Sequence, residues 1–429
     1  MNLGFYLAEY RALGDPDAPV PGGPARTVRG LTQSLSRQGH RVTVFAQGNR
    51  DSVTSEGAVP VRVFRRPSAT VPFSVAPDLL DYLRTNPDAL DGVVLNGVFH
   101  PDLARLALAA RRSGLPYLVS PLDPYHPAIF RRHRLRKAAY WRLIERRLLQ
   151  ASAGVLVMID GHGAYLNARG ITAPFVTVPT GIDHGAARTR VRPAPLGGAV
   201  RLGYLGRMDS WHKGVDLLLE GFAAVTDRFP GLRLTLTGSG PDEPRLKQMA
   251  AQLGLSGAVT FTGADHRSSV EILSDWDALI TPSRFDGYPM TVLEAMVAER
   301  PVVVSTEAGI SDHVERAGCG LTIPPSARGV ADGISRLLAR QDDWPSMAAR
   351  GRAYVAKHFD WDTIARNAAH DVAGLLGIAA GPATAPNAAS HEKGLLPRPP
   401  DRPAAALGAE PGFRAPCRSV RSEGAQPRW

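Results

Sequence analysis

Short runs rich in β-branched residues alternate with longer stretches of helical periodicity along most of the chain. Candidate strands of the first half are Leu3–Ala8, Arg41–Ala46, Val61–Arg65, Gly92–Asn96, Pro116–Ser120, Val155–Ile159 and Phe175–Val178. A second series follows at Arg201–Leu205, Arg233–Thr237, Val259–Phe261, Ala278–Thr281 and Pro301–Ser305. Helix-like segments separate several of these strands, at Ala25–Gln38, Pro101–Ser113, Ile129–Leu149, Val215–Arg228, Pro244–Leu253 and Val292–Ala298. Because strand, crossover helix and strand form the unit of a doubly wound parallel sheet, the pattern predicts an α/β fold.

The two series are separated by a segment without apolar periodicity, His184–Ala199, which is rich in Pro, Gly and Arg. This composition is typical of an interdomain linker. It predicts an N-terminal domain at residues 1–185 and a C-terminal domain at 198–360, with a cleft between them. A helix within 361–378 is expected to return towards the N-terminal domain. Residues 379–429, dominated by Pro, Ala and Arg, are predicted to form a disordered tail.

Composition narrows the class of protein. The chain has 429 residues, of which 44% are hydrophobic, and this is typical of a globular protein with two or three domains. No run approaches the roughly 18 apolar residues that a membrane span needs, and the first residues lack the pattern of a secretory signal. Two cysteines, Cys319 and Cys417, permit at most one disulfide, which excludes a Cys-rich metal site and favours a reducing cytosol. The net charge of +10 favours anionic partners: phosphates, acidic lipid surfaces or nucleic acid.

The stretch with the strongest chemical signal is ITPSRFDGYPMTVLEAM, at residues 280–296. A predicted strand ends at its beginning, a polar loop follows, and a helix begins near Met290. Backbone amides of residues 287–291 at the helix N-terminus would bind phosphate. Asp286 and Glu294 would then accept hydrogen bonds from sugar hydroxyls beside the phosphates. The alternative is that both carboxylates are ordinary surface charges.

A second group, YLGRMDSWHKG, follows another predicted strand. Gly206 permits a tight turn, and Arg207 and Lys213 lie on the loop before the next helix. The carboxyl ends of parallel strands face the crevice where doubly wound sheets bind ligands. There, the two cations would neutralise a diphosphate and stabilise its charge as it leaves. The alternative is a pair of solvated loop charges.

Two pairs of glycines give weaker signals. Gly22 and Gly23, after the first strand, would let the backbone pass close to a ligand or turn sharply into a helix. Gly238 and Gly240 follow a strand of the second series. Neither pair completes the G-x-G-x-x-G pattern of dinucleotide binding, so plain turns are the alternative.

Six segments in this order resemble the retaining glycosyltransferases of family four. They are PGG at Pro21–Gly23, GHRVTVF at Gly39–Phe45, PTGID at Pro179–Asp183, GRMDSWHKG at Gly206–Gly214, DGYPMTVLEA at Asp286–Ala295 and EAGISDHV at Glu307–Val314. The resemblance runs from Met1 to about Leu376 and leaves out the tail. It implies the GT-B architecture, in which two Rossmann-like domains with parallel sheets face an interdomain cleft. It also implies a nucleotide-sugar donor in the C-terminal domain and an acceptor in the N-terminal domain.

The resemblance implies roles for individual residues. Arg207 and Lys213 correspond to a clamp on the donor diphosphate, and Glu294 to the carboxylate that holds the nucleotide ribose. Asp286 takes the place of the first Glu of an E-x7-E pair, which contacts the transferred sugar, but its side chain is one methylene shorter. The other residues implied to line the donor site are Gly22, Gly23, Gly287, Tyr288, Pro289, Met290 and Thr291. In this family the leaving diphosphate helps to take the acceptor proton, so that neither a metal nor a cofactor is expected.

The acceptor side departs from the family pattern. Many relatives carry a His in a PHG-like motif after the strand that here ends at Ser120, whereas this chain has SPLDPYHP, with Leu122 at that position. Asp123 and His126 are close enough in sequence to substitute for it, and His100 is a further candidate on this side. The alternative for His126 is a loop residue without a catalytic role.

The segment Arg131–Arg147 is strongly basic, with eight Lys or Arg residues against Glu145 alone. Tyr140, Ile144 and Leu148 would share one face of a helix there. Such a helix either lies on anionic lipid headgroups or packs by its apolar side with a solvated basic face. Because no recognised nucleic-acid motif accompanies the charge, we expect no nucleic-acid partner.

These observations predict a retaining, metal-independent glycosyltransferase. It would move a hexose-type sugar from a nucleotide diphosphate to a hydroxyl of a glycan or lipid-linked acceptor. We expect it in the cytoplasm, with peripheral contact to the inner face of the membrane. Two alternatives are a GT-B nucleotide-sugar epimerase or hydrolase, and a non-catalytic protein that binds nucleotide sugars or glycans.

Overall fold

The computed structural model describes residues 1–10, 22–68, 73–86, 89–122, 125–182 and 199–378. Within these ranges the chain forms two α/β halves, each built around its own sheet. Three of the sequence predictions lie outside the described residues: most of the linker 184–199, the acceptor-side candidate Asp123, and the tail 379–429.

The N-terminal half is organised around an eight-stranded sheet. Its strands are β1 (Asn2–Tyr6), β2 (Arg41–Gly48), β3 (Ser52–Glu56), β4 (Val59–Arg65), β5 (Gly92–Asn96), β6 (Tyr117–Ser120), β7 (Gly154–Val157) and β8 (Phe175–Thr177). Their order across the sheet is β3-β4-β2-β1-β5-β6-β7-β8. All neighbours pair in parallel except β3 and β4, which form an antiparallel hairpin at the edge. The central strand β5 is buried at every position, as expected where helices cover both faces of a sheet.

Helices on both sides of this sheet bury its apolar side chains. They are α1 (Gly23–Arg37), α2 (Pro77–Thr85), α3 (Pro101–Arg112), α4 (Arg134–Tyr140), α5 (Arg146–Gln150) and α6 (Asp160–Asn167). The single helix predicted at Ile129–Leu149 is confirmed only from Arg134 onward, and it is not one regular α-helix. A 3₁₀ turn at Pro127–Phe130 precedes α4, and a π-helical turn at Trp141–Glu145 joins α4 to α5. His133, with a φ of 55°, separates the 3₁₀ turn from α4, and the π-helical turn contains the buried side chains of Trp141 and Glu145.

The C-terminal half contains a six-stranded sheet whose neighbours are all parallel. Its strands are β9 (Arg201–Leu205), β10 (Arg233–Thr237), β11 (Val259–Gly263), β12 (Ala278–Thr281), β13 (Val302–Ser305) and β14 (Gly320–Ile323). Their order is β11-β10-β9-β12-β13-β14. The helices are α7 (Ser210–Lys213), α8 (Val215–Thr226), α9 (Glu243–Gln252), α10 (Ser269–Ser274), α11 (Met290–Val297), α12 (Ser311–Ala317), α13 (Ala327–Leu338), α14 (Trp344–His358) and α15 (Trp361–Leu376). A 3₁₀ turn, Gln341–Asp343, leads into α14.

The last helix, α15, leaves the C-terminal half and packs against α1. The Trp361 ring lies where a Cβ on Gly30 would be only 2.1 Å away, so the glycine permits this close approach. Asp362 accepts a hydrogen bond from Arg37 of α1 at 2.7 Å. A backbone hydrogen bond of 2.9 Å from Ile182 to Phe359 pairs the two chain segments that pass between the halves. Between the halves, Gly23 at the start of α1 approaches Met290 at the start of α11.

Candidate active site

Asp286 lies in the loop between β12 and α11, where main-chain hydrogen bonds hold it. Its N–H donates to the carbonyl of Glu307 at 3.2 Å, and its carbonyl accepts from the N–H of Gly309 at 3.0 Å. A Cβ at position 309 would lie 2.1 Å from the carbonyl oxygen of Gly287, so the close approach of the two loops requires glycine. The EAG segment at 307–309 therefore fixes the backbone on which the Asp286 carboxylate is carried.

Lys213 is brought to Asp286 by a tight corner between two helices. Asp209 caps the short helix α7 by accepting from the N–H of His212 at 3.2 Å. Gly214, with a φ of 64°, joins α7 to α8, and a Cβ there would lie 2.3 Å from the carbonyl oxygen of Pro282. The corner thus packs directly on the end of β12, and Lys213 Nζ donates to Asp286 Oδ2 at 2.6 Å.

The Asp286 carboxylate is buried yet ionised. Burial works to raise its pKa, but the charges of Lys213 and His212, together with the hydrogen bond from Lys213, hold the pKa below its ordinary value. A hydrogen bond of 3.2 Å from the Ser283 hydroxyl acts in the same direction. Because the carboxyl side chain is only 8% exposed, the attraction within the pair is screened less by solvent than that of a surface ion pair of the same length.

Arg207 lies on the loop after β9, on the same side of the sheet as Lys213. Its guanidinium pairs with Asp209 at 2.8 Å, lies 3.5 Å from His212 Nδ1, and remains 59% exposed. The neighbouring loop packs tightly against this one, since a Cβ on Gly238 would be 1.9 Å from the carbonyl oxygen of Gly206. That close approach accounts for the glycine at position 238 as a structural turn.

The N-terminus of α11 faces the first residue of α1. Its N-cap residue is Pro289, which has neither a side-chain acceptor nor an N–H, and the first turn of the helix carries no acidic side chain. A Cβ on Gly23, the first residue of α1, would lie 3.9 Å from the sulfur of Met290. Two helix N-termini of opposite halves therefore meet at this place, and the first turn of a helix has backbone N–H groups without partners inside the helix. Tyr288 turns its ring away, into the apolar cluster of the C-terminal half.

Glu294, in the second turn of α11, is paired across the cleft. Its carboxylate accepts a hydrogen bond from the guanidinium of Arg26, which lies one turn into α1 and also donates to the Ser269 hydroxyl at 3.4 Å. The Glu294 side chain is 1% exposed, and Oε2 has no hydrogen-bond partner among the described residues. Burial raises the pKa of Glu294, although Arg26 opposes the shift.

His126 also contacts the opposite half. Its ring stacks on that of Phe285, with centroids 5.4 Å apart and planes 3° apart, and His212 stacks on Phe285 at 4.6 Å. His126 Nδ1 accepts from the N–H of Ala128 at 3.2 Å, which leaves Nε2 to carry the proton, 3.9 Å from Glu307 Oε2. Burial lowers the pKa of His126, so the ring is neutral near pH 7.

The other acceptor-side residues are spread more widely. His100 is exposed at the N-terminus of α3, beside Gly97, and no described contact joins it to Asp286 or Lys213. Leu122, with a φ of 57°, packs its side chain against apolar clusters of both halves. Glu145 accepts from the N–H of Phe99 at 3.0 Å and from the hydroxyl of Tyr125 at 2.6 Å, and burial raises its pKa to about 7.

The basic segment Arg131–Arg147 presents apolar side chains to the solvent. Leu135 is 84% exposed and Leu143 60% exposed, among arginines that face the same solvent. Trp141 is buried, as is Leu148 of the predicted apolar face. Arg132 lies over the ring of Trp211, 5.8 Å from its centroid, and so links the segment to the C-terminal half. No helix of the described ranges is both long and apolar enough to cross a bilayer.

Sequence reasoning missed Arg26 and the aromatic group formed by Trp211, His212 and Phe285. Arg26 is three residues after Gly23, one turn into the helix that the glycine loop opens. This spacing, which puts a cation on the first turn of the helix after the glycine loop, was the sequence signal that could have identified Arg26. The aromatic group lies within the segments 204–214 and 280–296, but its ring contacts join residues more than 70 positions apart.

Two parallel α/β sheets that face a cleft, with a carboxylate–lysine pair at the edge of one of them, define the GT-B class of glycosyltransferases. Residues 21–185 match the family described as Glycosyltransferase Family 4, and residues 199–340 match Glycosyl transferases group 1. The chain therefore belongs to the GT-B glycosyltransferases of family four, as its motifs predicted.

A curated relative is the GDP-mannose-dependent alpha-(1-6)-phosphatidylinositol monomannoside mannosyltransferase of Mycobacterium tuberculosis. It is 30% identical over 221 residues, which cover 47% of this chain and 56% of that enzyme. The chain thus spans about half the length of the curated relatives it matches.

Solved structures share the whole described fold at low identity. Sucrose-phosphate synthase from Thermosynechococcus elongatus superposes with a TM-score of 0.67 at 21% identity, over 88% of this chain and 99% of that one. Anabaena Alr3699/HepE in complex with UDP-glucose superposes with a TM-score of 0.67 at 18% identity, over 87% of this chain and 100% of that one. These likenesses confirm the predicted GT-B fold.

Proposed function

We propose that the protein is a retaining, metal-independent glycosyltransferase that moves a hexose-type sugar from a nucleotide diphosphate to a hydroxyl group. The observation that supports this most strongly is the grouping of the Lys213–Asp286 pair, the exposed Arg207 guanidinium and the N-terminus of α11. Fixed positive charge and backbone donors lie there beside an ionised carboxylate. This is what a leaving diphosphate and a reacting sugar need.

The donor would lie along the edge of the C-terminal sheet. Arg207 and Lys213 would bind the diphosphate oxygens, together with the backbone N–H groups of Gly287, Tyr288, Met290 and Thr291. Pro289 contributes its position in the loop but no N–H. Glu294 would accept from the ribose, and Asp286 from the transferred sugar. Gly22 and Gly23 would let the N-terminal backbone pass close to the donor from the other side of the cleft.

In the reaction, the bond between the sugar and the diphosphate breaks while the acceptor oxygen attacks from the same face. Negative charge then grows on the diphosphate, where Arg207, Lys213 and the end of α11 stabilise it. The diphosphate oxygen that leaves takes the acceptor proton. These fixed positive groups supply the charge stabilisation for which other glycosyltransferases use a divalent ion.

The acceptor would approach from the N-terminal half. His126 is the candidate there that the structure brings next to Asp286, through its stack on Phe285, and its neutral ring would orient the attacking hydroxyl. His100 and Asp123 stay candidates for more distant parts of the acceptor. A glycan or lipid-linked acceptor accords with the curated relative, whose name includes a phosphatidylinositol monomannoside.

The segment Arg131–Arg147 would hold the protein at the cytoplasmic face of an anionic membrane. Leu135 and Leu143 are exposed between arginines, and this combination binds lipid headgroups and the upper acyl region together. Sedimentation with phosphatidylglycerol vesicles tests this. Changing both leucines to Ser should lower the partition coefficient at least about ten-fold, whereas Leu108→Ser, at an exposed leucine of α3, should leave it unchanged. Equal binding by both variants and the wild type would contradict the assignment.

The reaction itself is tested by a thermal-shift screen of nucleotide sugars, followed by assays of the stabilising donor. Slow release of nucleoside diphosphate without an acceptor, and a glycoside of unchanged anomeric configuration with one, support the transferase. Fast release with an epimerised free sugar would instead identify an epimerase. Tight binding without any release would identify a binding protein.

A further inference from the structure

The carboxylate of Glu294 has a counter-ion from the opposite half of the molecule. Glu294 is 1% exposed on α11, and the cation that pairs with it is Arg26 of α1. The only other polar group placed at this pair by described contacts is the hydroxyl of Ser269, which is uncharged. An ionised carboxylate buried without a cation is strongly disfavoured. The state of Glu294 therefore depends on how the two halves meet.

The pair also leaves one oxygen unused. Arg26 occupies Oε1, whereas Oε2 is buried and has no hydrogen-bond partner among the described residues. A buried acceptor of this kind costs free energy until a donor reaches it. Arg26 is itself 38% exposed and lines a groove with Met290 and with residues of α1 and α15. A donor hydroxyl that reached Oε2 would thus meet a carboxylate already held by Arg26.

We propose that Arg26 is a positioning residue, which completes the ribose site from across the cleft by fixing Glu294 with Oε2 directed to a ribose hydroxyl. The inference rests on the donor assignment made above and adds a residue of the N-terminal half to it. When the halves meet, the guanidinium orients the carboxylate and keeps it ionised. Donor binding and closure of the cleft then favour each other, because each supplies what the other leaves unpaired.

The test measures how well the protein distinguishes ribose from deoxyribose. Calorimetric Kd values are compared for UDP, GDP and ADP and for their 2′-deoxy forms, with the wild type, Arg26→Gln and Arg26→Lys. We expect the wild type to bind its preferred diphosphate about 10- to 100-fold more tightly than the deoxy form. Arg26→Gln should reduce this ratio to about three-fold or less, and Arg26→Lys should restore most of it.

A pH series separates positioning from a structural role. Without Arg26, Glu294 should take up a proton at higher pH, so on acidification the affinity of Arg26→Gln for the diphosphate should begin to fall at a higher pH than that of the wild type. The matched control is Arg37→Gln, which removes another arginine of α1 that pairs with an exposed acid, Asp362. Its affinities and discrimination should equal those of the wild type.

The outcomes distinguish failure of the donor assignment from failure of the role given to Arg26. If the wild type binds none of the three diphosphates, the donor assignment fails and the role of Arg26 fails with it. If the wild type discriminates and folded Arg26→Gln retains the same ratio and pH profile, only the role of Arg26 is overturned. Non-additive losses in Arg26→Gln/Glu294→Gln would support the proposal, because coupled residues lose their shared interaction only once.

Discussion

Asp286 and Glu294 stand at the two ends of one nine-residue segment, and both carboxylates are buried, yet their pKa values move in opposite directions. Lys213, with a hydrogen bond from Ser283, lowers the pKa of Asp286 in spite of its burial. Burial prevails at Glu294, which pairs through one oxygen with an arginine of the other half. Burial alone therefore does not decide whether a carboxylate is charged. A cation supplied by the same half gives a permanent charge, and one supplied across a cleft gives a charge that depends on conformation.

Removal of Lys213 should have the largest effect. Lys213→Ala takes away the cation nearest to the reacting centre and leaves Asp286 buried without its charge partner, so turnover should fall by about 10³-fold or more. The measurement is release of nucleoside diphosphate at saturating donor and acceptor. Lys247→Ala, which breaks an exposed pair with Glu243, is the matched control and should retain wild-type turnover. A Lys213→Ala variant with wild-type rates would remove the proposed diphosphate clamp.

Glu294→Gln should act mainly on donor binding. The amide keeps the shape of the side chain but loses the charge, so the KM for the donor should rise about 10- to 100-fold with a smaller change in kcat. In the wild type, the donor KM should also rise as the pH falls through the raised pKa of Glu294, since the protonated group no longer accepts from a ribose hydroxyl at both oxygens. In Glu294→Gln this rise of the donor KM at low pH should be absent. If the rise persists in the variant, another group causes the pH dependence.

Stability should depend on pH with opposite signs at the two positions. The pKa of Asp286 is lowered by folding, so its contribution is present above the unfolded-state pKa of about 4 and is lost as the pH falls through the folded value. The pKa of Glu294 is raised, so its contribution is fully present below the unfolded-state pKa and is lost as the pH rises from there through the raised folded value. Each pKa unit of difference corresponds to about 1.4 kcal/mol.

Urea unfolding measures these slopes, with the Asp286 slope expected below about pH 4 and the Glu294 slope above it. The free energy of unfolding of the wild type should rise with pH relative to Asp286→Asn and should fall with pH relative to Glu294→Gln. If both differences in the free energy of unfolding changed with pH in the same direction, the cations would act alike on the two carboxylates, and the contrast between Asp286 and Glu294 would be wrong.

The same distinction between local and distant partners explains what the sequence predicts well. The strands Arg201–Leu205, Arg233–Thr237 and Ala278–Thr281 were predicted to the residue, because the strands of a parallel sheet covered by helices form short apolar runs between turns. Ser52–Glu56 was missed because SVTSE is polar and largely exposed at the sheet edge. The helix predicted at Ile129–Leu149 starts too early, because a 3₁₀ turn at Pro127–Phe130 and a left-handed His133 precede α4.

For the site as well, the sequence predicts residues placed by local order but not pairs of distant residues. Asp286, Lys213 and Arg207 follow the ends of strands, where parallel sheets bind ligands, and so they could be proposed from local order alone. The pairing of Arg26 with Glu294 joins residues 268 positions apart. No periodicity or spacing encodes such a pair, since it exists only once the two halves have met. Cross-cleft partners are therefore the part of the site that needs the structure.

His126 offers the smallest and most selective test of this view, because it too reaches across the cleft. His126→Phe keeps the stack on Phe285 but loses both ring nitrogens, whereas His126→Ala loses the stack as well. If the ring nitrogens orient the acceptor, both variants should raise the acceptor KM by a similar factor, about five- to ten-fold for one hydrogen bond, and leave the donor Kd unchanged. If the stack holds the halves together, only His126→Ala should be impaired, and its donor Kd should rise as well. Steady-state kinetics with calorimetry of donor binding decides between a side chain that touches the acceptor and one that only closes the cleft.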